Sequence, residues 1–172
     1  MSPLIDYNGS SPQIHKTVFI APGVFLIGDV QIGEDSSVWF NSVLRGDVNP
    51  IRIGKRTNIQ DLSLLHTSMG KTPTLIGNDV TAGHRVILHG CEVADRVLIG
   101  MGSILMDGVR IGEDSIIGAG SLLIENTVIP PRTLALGTPC KIKRELKEEE
   151  IQFVKMSALH YAEKAKSYSV KK

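Results

Sequence analysis

The chain has 172 residues, room for one ordinary domain. Hydrophobic residues make up 42% and charged residues 22%, a globular composition, and the net charge of +1 excludes the strong basic excess of a dedicated nucleic-acid binder. No apolar run approaches the roughly 20 residues that span a bilayer.

The opening MSPLIDYNGS lacks a basic start followed by an apolar stretch, so no secretory signal is read there. Two cysteines, Cys91 and Cys140, are too few for a disulfide framework. Both points place the protein in the reducing cytoplasm, with no membrane and no nucleic acid as partner. Val and Ile number 33, a bias toward short β segments.

A six-residue beat starts at Ile20 and continues through Leu26, Ile32, Val38 and Leu44. It resumes at Ile53, Ile59 and Leu65, then at Ile76, Ala82 and Leu88. One slip later it runs unbroken from Val93 through Ile99, Leu105, Ile111, Ile117 and Leu123 to Ile129. Four residues after most beats the side chain is small or β-branched, as at Ser42, Ser63, Val86 and Ser103. One residue after it, Gly recurs: Gly33, Gly54, Gly77, Gly83, Gly100, Gly112 and Gly118. A period of six fits neither a helix nor a long amphipathic strand. It fits a chain that runs extended, turns and repeats, with Gly easing the turns. Three such passes make an 18-residue triangular coil, and stacked coils make a parallel β-helix, an all-β solenoid.

The beat breaks at residues 48–50, 66–75 and 88–93, and near those breaks the slot after the beat holds Arg45, Gln60, His66 and His89. Rule-breaking inside a regular scaffold marks a functional site. If the irregular stretches loop outward, Leu44, Leu65 and Leu88 share one corner, and Arg45, His66 and His89 stack in the column after it. His66 and His89 are then about 4.8 Å apart at the backbone and can share a metal. Asp61 and His84 form a second column. His84 lies roughly 16 Å of extended chain from His89 and cannot join the same ion within one chain. A symmetric homotrimer resolves this, each interface closing one three-histidine site. His15 and His160 read as ordinary surface histidines, and Cys91 as buried structure.

Pro130, Pro131, Gly137 and Pro139 end the beat. From Glu145 onward the pattern is helical, with Ile151, Val154, Ala158, Tyr161, Ala165 and Tyr168 on one stripe. Residues 1–140 are therefore expected to form the β-helix, and residues 141–172 a covering helix within the same single domain.

The beat, Arg45-Gly46-Asp47, Asn58-Ile59-Gln60-Asp61, His66, and His84 with His89 in GHRVILHG together resemble the γ-class carbonic anhydrases and their homologues, over roughly residues 10–170. The resemblance implies a left-handed β-helix with a C-terminal helix, assembled as a homotrimer. It implies zinc, with iron or cobalt as alternatives, held by His66 and His89 of one chain and His84 of its neighbour. It implies a charged interface network of Arg45, Asp47 and Asp61, Gln60 beside the metal-bound water, and Tyr161 at the pocket rim or in the core. The activity implied is reversible hydration of CO2 to bicarbonate by a metal-bound hydroxide. One departure stands out: the loop from Thr67 to Thr74 has no carboxylate and Val48 follows Asp47, where prototype enzymes carry acidic proton-shuttle residues. The alternatives are an acyl-CoA-dependent hexapeptide acyltransferase, for which Gly137-Thr138-Pro139-Cys140-Lys141 is reminiscent, and a non-catalytic metal-stabilised trimer or small-ligand binder.

Overall fold

The computed structural model describes residues 3–169; residues 1–2 and 170–172, the outer ends of the two expected stretches, lie outside the described residues. The chain winds about seven turns of a parallel β-solenoid, the left-handed hexapeptide-repeat β-helix, and ends in one α-helix. Each turn passes three faces. One face stacks Phe19–Ile20, Ser37–Val38, Asn58–Ile59, Thr81–Ala82, Leu98–Ile99, Ile116–Ile117 and Thr133–Leu136. A second stacks Leu64–His66, Ile87–His89, Ile104–Leu105 and Leu122–Leu123. The third stacks Thr74–Ile76, Glu92–Val93, Arg110–Ile111 and Val128–Ile129. The long strands Phe25–Ile32 and Val43–Ile53 round a corner and join the second face to the third.

The six-residue beat is the core. Of its eighteen positions all but Ile20 are buried, and Leu44, Leu65, Leu88, Leu105 and Leu123 stack in register down one column at 0% exposure. The small residues four later are buried too, Thr127 excepted, and the Ser hydroxyls among them bond the backbone of neighbouring turns, as Ser42 Oγ does to the Gln60 carbonyl at 2.9 Å.

The recurrent glycines work differently from the turn-easing role expected of them. None of the seven at the slot after the beat has a positive φ. A Cβ on Gly33, Gly54, Gly77 or Gly112 would instead collide with the next turn's backbone, so they are small because stacked strands pass close. The left-handed residues lie two further on. At the corner between the third face and the first they are Asp35, Arg56, Asp79, Arg96, Asp114 and Arg132, all near φ +55°.

The C-terminal helix, Glu148–Ser169, starts three residues later than the sequence pattern suggests, and Lys141–Glu145 is an antiparallel strand on Thr133–Leu136. That strand covers the last open edge of the coil, which outweighs any early helical start. Ile151, Val154, Ala158 and Ala165 are buried against the first face, and Tyr168 lays its ring on Trp39. No helix among the described residues is long and apolar enough to cross a membrane.

Candidate metal centre

The three breaks in the beat build the site. The first break adds three residues: the pairing of the two long strands jumps from Gly28–Gly46 to Val30–Ile51, so residues 47–50 lie opposite Asp29 alone. Residues 67–73 form a loop between Leu64–His66 and Thr74–Ile76. The slip after Leu88 leaves two residues, Gly90 and Cys91, between strands Ile87–His89 and Glu92–Val93. Leu44 pairs with Leu65 and Leu65 with Leu88, so Arg45, His66 and His89 follow in one column as the spacing requires, and His66 pairs directly with His89.

The two rings meet at this corner. His66 Nδ1 lies 3.3 Å from His89 Nε2. Asp47 Oδ1 lies 3.1 Å from His66 Nε2, and Asp107 Oδ1 lies 2.9 Å from His89 Nδ1. Arg45 donates to Asp47 Oδ2 at 2.5 Å. Burial pushes the Asp47 carboxyl up, but hydrogen bonds from Arg45 and His66 outweigh it and hold the group below its ordinary value. Burial lowers His66, and the Arg45 charge adds to that against the opposing bond to Asp47. His66 is thus neutral and Asp47 ionised at neutral pH.

The remaining candidates gather at the opposite edge of the second face. Asp61 Oδ2 lies 2.7 Å from His84 Nδ1. Gln60 is buried and donates from Nε2 to Asn58 Oδ1 at 3.1 Å; Asn58 reaches Thr81, and Thr81 reaches Ser157 of the helix. Tyr161 packs edge-on against Trp39 at 5.6 Å, and burial, with the Asp61 charge, pushes its hydroxyl up. Tyr161 is therefore both helix packing and a neighbour of the Asp61–His84 column. Cys91 is 1% exposed, its thiol pushed up to about 12 by burial, and it is core.

One chain thus carries two separate clusters. Arg45, Asp47, His66 and His89 sit at one edge of the second face, with Gln60, Asp61, His84 and Tyr161 at the other. Among the described residues no three His, Cys, Asp or Glu of one chain gather to hold a metal.

The donor chemistry fits a cation. An ionised carboxylate only accepts, so the imidazole nitrogens facing Asp47 and Asp107 carry the ring protons. The opposite nitrogens, His66 Nδ1 and His89 Nε2, are then acceptors that face each other, with Arg45 Nη2 also 3.5 Å from His66 Nδ1. Asp107 was missed from sequence. It stands two residues past Leu105 while His89 stands one past Leu88, and the slip between them hides the alignment.

The bacterial transferase hexapeptide model (six repeats) matches residues 11–46 and 90–125. The chain is 51% identical over 162 residues to a carbonic anhydrase of Geobacillus kaustophilus, covering 94% of this chain and 88% of that one. The chain belongs to the γ-class carbonic anhydrase-like family of hexapeptide-repeat proteins. It is also 45% identical over 163 residues to γ carbonic anhydrase 2, mitochondrial, of Arabidopsis thaliana, but spans only 59% of that relative's length. Among solved structures it is similar to a hexapeptide transferase family protein from Anaplasma phagocytophilum: 43% identity, TM-score 0.91, 96% of this chain and 97% of that one. The family thus carries both carbonic anhydrase and transferase names on one fold.

Proposed function

We propose that this protein is a metal-dependent carbonic anhydrase-type enzyme that converts CO2 and water to bicarbonate at sites shared between the copies of a homotrimer. The observation that carries the reading is the facing pair of imidazole nitrogens, 3.3 Å apart, on rings that are each backed by a carboxylate. The name of the Geobacillus relative supports the substrate class.

His66 and His89 would hold zinc together with His84 of the partner subunit; iron and cobalt are the alternatives. Bound zinc supplies a Lewis acid that brings the pKa of water near 7. Asp61 Oδ2 lies 2.7 Å from His84 Nδ1, close enough to hold the ring proton on that nitrogen and turn Nε2 toward the neighbour. Gln60 offers an amide that can orient water or bicarbonate, and its bond to Asn58 fixes that amide's direction. Tyr161 keeps its proton at neutral pH and can donate it at the rim. Arg45 presents a fork already engaged by Asp47, with donors left for a carboxylate across the interface.

The second face supports the trimer. Its outward positions Phe25, Val43, Leu64, Ile87, Ile104 and Leu122 are all apolar, and Phe25 and Leu64 are exposed in one chain. The corresponding third-face positions are largely polar, such as Gln31, Arg52, Glu92 and Arg110. A three-fold arrangement of second faces covers the apolar column and brings the His84 edge of one copy to the His66–His89 edge of the next.

Elemental analysis of purified protein should find about one metal per chain, and finding none would overturn the mechanism. Stopped-flow CO2 hydration should rise with small buffers, because the loop lacks a carboxylate to carry the proton out; full metal with no hydration in any buffer would overturn the enzyme reading. His84→Ala should lose the metal while the coil stays folded by circular dichroism. Acyl transfer, favoured by the transferase name of the Anaplasma protein, predicts instead acetyl-CoA turnover that survives metal removal.

A further inference from the structure

We propose that Asp107 is the positioning residue of this centre, fixing which nitrogen of His89 faces the shared cation. The inference rests on the metal reading above. Asp107 comes from the turn after His89, beyond strand Ile104–Leu105, and its side chain is 9% exposed. Its two oxygens have separate partners. Oδ1 accepts from His89 Nδ1 at 2.9 Å. Oδ2 accepts from Ser68 Oγ at 3.0 Å and from Lys71 Nζ at 3.1 Å, both from the loop after His66. Lys71 also reaches Glu125 at 3.3 Å, so the carboxylate is itself held in place.

The consequence follows from the ring. A neutral imidazole carries its proton on either nitrogen, and the ring can also flip about its bond to Cβ. A carboxylate that only accepts holds the proton on Nδ1 and leaves Nε2 bare. That nitrogen is the one 3.3 Å from His66 Nδ1. Without Asp107 the ring is free to turn an N–H toward the cation. The sequence makes room for this contact. Gly90, next to His89 at φ +58°, sits over the carboxylate, and a Cβ there would run into Asp107 Oδ1.

The test compares the full-length wild type with Asp107→Asn and Asp107→Ala. Zinc affinity is measured by chelator competition, and the cobalt-loaded proteins are compared by visible spectroscopy. Asp107→Ala should bind zinc about 10–100-fold more weakly and show shifted cobalt bands. Asp107→Asn keeps an acceptor for Nδ1 and should lose affinity by a smaller factor. Wild-type affinity and an unchanged cobalt spectrum in a folded Ala variant would overturn the proposal. Should Ala fail to fold, the same two results in Asn would overturn it. A wild type that binds neither metal overturns the centre itself, a different failure from a wild type that binds metal with no help from Asp107.

Discussion

A Cβ added at Gly54 would lie 2.6 Å from the carbonyl oxygen of Gly77 in the next turn, whereas one added at Gly102 meets nothing within 4 Å among the described residues. The two glycines answer different constraints. Gly54 keeps stacked strands at their spacing, while Gly102 sits at φ +70° in a corner. Gly54→Ala should therefore cost about 1–3 kcal/mol, since backbone cannot yield as a flexible side chain would. Gly102→Ala pays only the left-handed penalty of about 1 kcal/mol. Urea unfolding of both variants checks the order, and equal losses would mean that corner strain, not stacking, sets the glycine pattern. At this scale the sequence was partly legible. A count of sixes put Arg45, His66 and His89 in one column and Asp61 with His84 in another, whereas Asp47 came only from the family resemblance. The glycines were placed correctly and explained wrongly, because periodicity reports where a residue recurs and not which neighbour crowds it. Asp107 was hidden because its partner lies across a slip in phase.

The corner between the third face and the first alternates in sign down the solenoid: Asp35, Arg56, Asp79, Arg96, Asp114, Arg132. Arg56 grips Asp79 with two bonds of 2.6 Å, Arg96 reaches Asp114 and Glu113, and Arg132 meets Glu148 at the start of the helix. The ladder thus joins the repeat to its covering helix. There Glu150 takes over: its carboxylate accepts from the Lys147 backbone N–H at 2.8 Å and from both Arg144 terminal nitrogens. This is half of a capping box, tied to the strand Lys141–Glu145. The Arg144 bonds, helped by the Lys147 N–H, pull Glu150 from 4.5 to about 2. A carboxyl depressed in the folded state stabilises fully above its ordinary value, and that contribution is lost as the pH falls through the folded value. Glu150→Gln should melt below the wild type at pH 7, with the gap narrowing below pH 4.5 and closing as pH approaches 2. A gap that stays constant with pH would show that the cap's charge does nothing. The sequence revealed the helix stripe but not this junction, since strand Lys141–Glu145 has no alternation and its place is fixed only by the edge it covers.

At the scale of the whole molecule, the apolar column on the second face and the two histidine clusters are one problem. A lone chain leaves Phe25 and Leu64 exposed and separates His84 from His66 and His89 by the width of that same face. The proposed three-fold assembly would remove both defects together. The proposed assembly and the proposed metal site should then be linked: a cation bound only by the assembled form favours assembly by mass action. Ile87→Asp puts a carboxylate in the middle of the column, between Leu64 and Ile104, and replaces no histidine. It should convert the trimer to monomers in sedimentation velocity, and zinc content should fall with it although all three ligands remain. Chelation of the wild type should, in the same way, move dissociation to higher protein concentration, and zinc should restore it. Monomers of Ile87→Asp that retain one zinc each would break the link, because His66 and His89 would then have found their third ligand without a neighbour.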